Sequence, residues 1–221
     1  KVLLDHFLPV QVLFTRVVIA FLMLWILFPH TLKIVDKKRE LAFAGAGLFG
    51  IVLYFMLENT ALTMTYASNV GIIVACAPFF VAVIVGIFFK NEKPGVNFFV
   101  GFVIAIIGIA MISMNGAKSL HLNPKGDMLA FTAMISWGFY SAIIKKIGEW
   151  DYPTAAVTRR IYFYGMLFLI PVLMWQGVSW DVTVVLSVVI LHEKMTFVSV
   201  TGALLILLGL IVSQKKINQK K

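Results

Sequence analysis

The chain has 221 residues, of which 61% are hydrophobic and 13% charged, and its net charge is +9. A soluble domain of this size needs more polar side chains to cover its surface, so the composition, with a mean hydropathy of +0.95, excludes one. The basic residues form short clusters beside apolar runs, which favours positive-inside membrane topology over nucleic-acid binding. The single cysteine, Cys76, lies within an apolar run and provides no disulfide framework.

Long apolar runs between charged or Pro/Gly breaks predict transmembrane helices, because about 18 or more apolar residues cross a bilayer core. In chain order, the predicted spans are 8–29, 41–63, 67–89, 95–114, 126–144, 153–176 and 196–213. A further apolar run at 182–191 is only half a span. The spans predict an all-α membrane protein. Two small-residue patterns within them predict close helix contacts: Ala42, Ala46 and Gly50, and Gly101, Ala105 and Gly108.

The chain contains two copies of one unit. A shift of 101 residues aligns Glu92 with Glu193, whereas a shift of 144 aligns Arg16 with Arg160, so the offset changes by 43 residues within the second copy. We expect the sequence to be a subset of a longer protein, without an N-terminal span and without an internal segment near Trp180. A natural deletion or chance spacing is the alternative, but the half-span is too short to cross a bilayer.

Restoring both segments gives ten transmembrane helices in two units of five. The first unit is predicted at 1–115, lacking its first helix, and the second at 124–216, with a gap near 180/181. An odd number of helices per unit turns the second unit upside down, the inverted-repeat architecture of many transporters. If the missing first span begins in the cytoplasm, most loop lysines and arginines are cytoplasmic, which predicts both termini inside.

Short motifs occur in order along both units: Arg16, Asn59-Thr-Ala-Leu-Thr-Met-Thr-Tyr-Ala-Ser, Ala77-Pro78-Phe-Phe, Lys90-Asn-Glu92-Lys, Trp137-Gly138 and Leu191-His-Glu193-Lys. By these motifs the chain resembles the drug/metabolite transporter superfamily, specifically its EamA-type ten-helix members. The resemblance covers almost the whole chain. It implies a bacterial inner-membrane carrier that moves amino acids, related metabolites or drugs, often outward, through a central cavity between the repeats. The chain departs from the family by lacking the first helix and the eighth-to-ninth helix region.

Glu58 is the only carboxylate inside a long apolar run. A charge at membrane depth costs roughly 3 kcal/mol on insertion scales, so such a residue is usually functional. Glu58 is predicted to accept a proton or to pair with a cationic group. The alternatives are a carboxylate near the lipid headgroups or an ion pair with Arg16. Asn59 and Tyr54 lie beside Glu58 on the same predicted helix.

Other candidate substrate contacts are spread along the chain. Arg16 and Arg160 attract anionic substrates in one interpretation, and reach headgroups or bridge helices in the other. Asn69, Trp137 and Tyr140 offer hydrogen bonds and aromatic faces to a metabolite, together with Tyr54, although packing is the alternative for each. Pro78 interrupts the fourth helix of the first unit and creates either a hinge with a free carbonyl or a simple kink.

The sequence gives little support for an enzyme or a metalloprotein. The four histidines lie at span ends or in loops, and His192-Glu193-Lys194 lacks the second histidine of a zinc protease motif. The sequence therefore predicts no enzyme, cofactor or metal. It predicts a carrier that works by alternating access, with the bilayer and a small molecule as partners. Transport could be driven by proton exchange through Glu58, or it could be facilitated diffusion. A passive channel or a structural membrane subunit is the alternative function.

Overall fold

The computed structural model describes residues 8–29, 32, 36–89, 93–115 and 123–176. They belong to one compact unit, Lys1–Val184, whereas a second unit, Val185–Lys221, lies outside these ranges. The elements are α1 Pro9–Leu27, α2 Lys37–Ala46, a π-helical segment Gly47–Leu53, α3 Tyr54–Met64, α4 Ala67–Ala75, α5 Ala77–Phe88, α6 Val96–Asn115, α7 Pro124–Gly148 and α8 Thr154–Trp175. Every regular element in the described ranges is helical, which confirms the all-α prediction there.

Five helical stretches of the described chain are long and apolar enough to cross a membrane: Pro9–Leu27, Lys37–Met64, Ala67–Phe88, Pro124–Gly148 and Thr154–Trp175. The 20 residues of α6 also suffice by length. Only 28% to 33% of each apolar stretch is buried in the bundle. Most residues of these stretches are therefore at least partly accessible, as is tolerated where lipid replaces water.

The predicted spans agree with these helices to within a few residues at most ends. The predicted span at 196–213 and the half-span at 182–191 lie outside the described residues. The part of the predicted second unit, 124–216, that follows residue 176 lies there as well. The inverted relation between the two units therefore stays a prediction.

Local chemistry explains where several helices begin. The Asp36 side chain accepts a hydrogen bond from the backbone of Lys38 at 3.1 Å and caps α2. Asn123 caps α7 in the same way, and Pro124 follows it as the first helical residue. Short polar side chains satisfy the free N–H groups of a first turn, and proline has no such group to satisfy. These signals are local, so the sequence could place them.

The central helix is α7. It packs against α2, the π-helical segment, α3, α4 and α5, while α8 packs against α1, α2 and the π-helical segment. Fully buried side chains come from several of these helices and include Phe43, Met134, Ile147 and Leu169. The side chains of α7 that face α3 therefore lie within the protein and not against lipid.

Two of the predicted spans are interrupted in the structure. The span at 41–63 contains the π-helical segment, which no sequence pattern indicated. The span at 67–89 breaks at Cys76, and Pro78 lies in the first turn of α5. Proline lacks an N–H and clashes with the preceding turn, which accounts for a break at this point.

The two small-residue patterns behave differently. Ala46 is fully buried, and a Cβ at Gly50 would overlap the ring of Tyr140. The first pattern therefore does bring helices close together. No described neighbour lies within 4 Å of a Cβ built at Gly101. Ala105 and Gly108 belong to α6, but their side-chain surroundings lie outside the described part of the chain.

The bundle has two chemically different ends. We call the end where α2, α6 and α8 begin, and where α1, α5 and α7 end, the basic end. It carries a group of lysines and arginines: Lys37, Lys38, Arg39, Lys93, Lys145, Lys146, Arg159 and Arg160. The opposite end, formed by the α3–α4 turn and the start of α7, carries Lys125. The described cations are thus concentrated at one end of the bundle, the kind of charge asymmetry that membrane proteins show.

Candidate functional site

Four residues that the sequence singled out meet between α3 and α7. The Tyr54 and Trp137 ring centres lie 4.8 Å apart, and those of Trp137 and Tyr140 lie 4.9 Å apart. Glu58 lies one helical turn after Tyr54. We call Tyr54, Glu58, Trp137 and Tyr140 the aromatic site. All four are half-buried, so part of each side chain remains accessible.

The carboxylate of Glu58 lies near the hydroxyl of Tyr54 and interacts with it electrostatically. The two residues are four positions apart on one helix, which places their side chains on the same face. A carboxylate has about four acceptor positions, more than one neighbouring hydroxyl can occupy. Glu58 therefore keeps the capacity to bind a proton or a cationic group.

The backbone before α3 shapes this site. The π-helical segment ends at Leu53, directly before Tyr54. Within it, Gly50 leaves room for the ring of Tyr140. The Ser136 hydroxyl donates a hydrogen bond to the carbonyl of Phe49 at 2.8 Å and joins α7 to the segment. Short π-helical insertions are frequent at functional sites, and this one sets the position of two site rings.

Asn69 lies apart from the aromatic site, at the opposite end of the bundle. It is buried, and its amide donates to the Thr65 hydroxyl at 3.3 Å. The same hydroxyl donates to Asp127 at 2.8 Å, and the Asn123 amide donates to the carbonyl of Met64 at 2.6 Å. These bonds join the α3–α4 turn to the start of α7. Asn69 thus belongs to a structural network, as its packing alternative allowed.

The remaining predicted residues are also separate from the rings. Asn59 is half-buried on α3, next to Glu58, and Arg16 is exposed on α1. The described side chains form no ion pair between Arg16 and Glu58, so the sequence-based alternative of such a pair does not match the structure. Pro78 lies at the helix break. In the described ranges, no three His, Cys, Asp or Glu side chains lie close enough together to hold a metal ion.

Arg160 bridges helices at the basic end. Its Nε and Nη2 donate to one carboxylate oxygen of Glu40 at 2.9 and 2.5 Å, and the hydroxyl of Tyr164 donates to the same oxygen. This geometry matches the helix-bridging interpretation of Arg160. The sequence interpretation did not single out Glu40. The available signal was that Glu40 and Arg160 carry opposite charges at the same predicted membrane end.

Two more arginines extend this contact. The Arg159 Nη1 donates to the carbonyl of Phe28 at 2.5 Å. The Arg39 Nη1 donates to the hydroxyl of Tyr152 at 2.9 Å, and its guanidinium lies 5.1 Å from the ring centre of Trp150. We call Arg39, Glu40, Arg159, Arg160 and Tyr164 the basic-end network. It connects α1 and α2 to α8 and to the turn before α8.

Comparison with known proteins agrees with the motifs. The model of the EamA-like transporter family matches residues 1–114. An uncharacterized transporter of Bacillus subtilis (strain 168), YetK, is 24% identical over 146 residues, which are 65% of this chain and 42% of that protein. An uncharacterized transporter of Archaeoglobus fulgidus is 24% identical over 180 residues, 79% of this chain and 61% of that protein.

The chain thus spans about half the length of the curated relatives it matches. No solved structure matches it. The family model covers more than half of the residues, which confirms the resemblance seen in the motifs. The chain is an integral membrane protein and belongs to the EamA-like transporter family.

Proposed function

We propose that the complete protein is a carrier that moves small amphipathic metabolites across the membrane by alternating access. The aromatic site is the observation that carries this proposal. Its rings and the Glu58 carboxylate lie between helices of an apolar bundle, where a polar group without a task would be costly. Transporter substrates commonly bind near mid-membrane between helices.

The chemistry of the site favours a substrate with a cationic amine. A carboxylate attracts such a group, and the faces of Trp137, Tyr54 and Tyr140 stabilise it through cation–π contact, worth about 0.5–2 kcal/mol. An amino acid or a related amine carries this group together with an apolar part that suits aromatic faces. Family membership supports the same substrate class and outward movement.

The proposed architecture of the complete protein is two inverted five-helix units around a central cavity, with both termini in the cytoplasm of a bacterium. The ranges 1–115, which lacks its first helix, and 124–216, with a gap near 180/181, are parts of these units. Two observations support motion within this architecture. The fourth predicted helix is broken at Cys76, and broken helices recur at transporter sites. The π-helical segment interrupts the third predicted helix just before the aromatic site.

Counterflow in liposomes tests the carrier mechanism. The full-length protein is reconstituted, the vesicles are loaded with an unlabelled amine metabolite from a panel, and uptake of the same labelled compound is followed. A carrier gives transient, saturable accumulation for at least one compound. Linear flux without counterflow would support a passive channel instead, and no flux across the panel would support a structural subunit.

One substitution ties the flux to the aromatic site. Trp137→Leu removes the ring shared by both aromatic contacts, and we expect apparent substrate affinity to fall about tenfold, because tenfold corresponds to about 1.4 kcal/mol. Trp175→Leu is the matched control, since Trp175 is 88% exposed at the end of α8. Equal affinity of the two variants would place the substrate elsewhere.

A further inference from the structure

A groove of about 520 Å³ opens between α5, α7 and the segment that leads into α6. Its wall is largely apolar: Pro78, Val81 and Val85 come from α5, and Phe98 comes from α6. It runs from Pro78, near the middle of the Ala67–Phe88 span, towards the basic end. The aromatic site does not include any of these residues.

The polar groups of the groove come from α7. Ser141 and Lys145 line it, and the Lys145 ammonium lies 5.2 Å from the ring centre of Phe89. Lys93, which is exposed, directly precedes Pro94 in the groove wall. The groove therefore has an apolar body at membrane depth and positive charge at the basic end.

We propose that this groove binds an anionic phospholipid, with an acyl chain along α5 and the phosphate at Lys145. Basic pockets between transmembrane helices on the cytoplasmic side are suited to anionic headgroups, and that leaflet is rich in them. The positive-inside pattern assigns the basic end to the same side. The lipid occupies the groove regardless of which solute the protein carries.

Size and charge argue for this occupant over others. The volume lies within the range of about 300–1,000 Å³ that small ligands fill. A transmembrane helix of about 20 residues is several times larger. A free phosphate could bind to Lys145 but would leave the apolar wall uncovered. A zwitterionic lipid has no net negative charge, so its attraction to Lys145 and Lys93 is weaker.

The test measures binding of phosphatidylglycerol and phosphatidylcholine to the full-length protein in detergent, by native mass spectrometry. We expect the wild type to bind phosphatidylglycerol more tightly than phosphatidylcholine. Inorganic phosphate should not displace the bound phosphatidylglycerol. In Lys145→Gln this affinity falls about fivefold, the equivalent of about 1 kcal/mol for one lysine near an anionic headgroup. Lys146→Gln, which removes a neighbouring exposed charge, leaves it unchanged.

A second pair of variants tests the apolar part. Ala82→Phe fills the groove without touching the lysines, and phosphatidylglycerol binding falls. Ile87→Phe, at a position on α5 that is 69% exposed, is its control and keeps binding intact. Equal binding of the two lipids, equal losses in the two lysine variants, or full binding in Ala82→Phe would each overturn the proposal.

Discussion

Gly50 has room for no side chain larger than hydrogen, because the Tyr140 ring lies against its backbone. In Gly50→Ala the added methyl forces the ring to move, and with it the contact between Tyr140 and Trp137. Overpacking of this kind costs about 1–3 kcal/mol. We expect a lower thermal unfolding midpoint in detergent and weaker substrate binding.

Gly71→Ala is the matched control for that substitution. Gly71 also lies in a helix, but no described atom comes within 4 Å of a Cβ built there. Replacing a helical glycine by alanine in open space stabilises by roughly 0.5–1 kcal/mol through backbone entropy. If Gly50→Ala unfolds at the wild-type midpoint, the contact between Gly50 and the Tyr140 ring is not close in the protein in detergent.

Glu58 is the residue whose removal tests proton coupling. In Glu58→Gln the side chain keeps its size but has no proton to exchange. If protons move through this group, substrate flux in liposomes loses its dependence on pH. Glu149→Gln, at an exposed carboxylate of the basic end, keeps the wild-type pH profile. A pH profile that is unchanged in Glu58→Gln would favour facilitated diffusion.

At the scale of elements, the basic-end network connects α2 to α8 through Glu40, Arg160 and Tyr164. The side chains of Arg160 and Glu40 are 38% and 27% exposed, so solvent screens part of their attraction. Glu40→Gln keeps the shape but removes the charge that holds three donor groups on one oxygen. We expect a loss of roughly 1 kcal/mol in stability, the upper part of the range for exposed pairs.

The pair of Lys146 and Glu149 is the control for Glu40→Gln. Both of its side chains are about half exposed, and the two residues are three positions apart at one helix end. Such pairs contribute about 0.2–0.5 kcal/mol. The thermal unfolding midpoints of Glu40→Gln and Glu149→Gln in detergent compare the contributions of the two ion pairs to stability. Equal midpoints would show that the bridge between α2 and α8 contributes no more than a surface pair.

At the scale of the whole molecule, the charge distribution predicts orientation. Ala67 is exposed at the opposite end and Glu149 is exposed at the basic end. In a Cys76→Ala background, we expect a membrane-impermeant maleimide to label Ala67→Cys in intact cells. Glu149→Cys should react only after the membrane is permeabilised. Labelling of both from the same side would contradict the helix order, whereas exchanged labelling would reverse the orientation.

The sequence by itself determined the membrane class, the described spans and the family. The sequence also showed that Glu58 is an ionisable residue within an apolar run, and it indicated the helix break near Pro78. These features depend on local composition and backbone geometry: an apolar run long enough to span a bilayer, an ionisable group within it, and a proline without an N–H. Each can be recognised from neighbours along the chain.

Only the tertiary structure decided which side chains meet. Tyr54 and Trp137 are distant in sequence, as are Glu40 and Arg160, and their contacts depend on how α7 and α8 pack against the first helices. The π-helical segment likewise has no distinctive pattern in the sequence. In the structure, its Gly50 and Gly47 allow the backbone to pack closely against α7 and α8. Hydrophobic burial is non-directional, so an apolar pattern specifies that helices pack but not which faces they share.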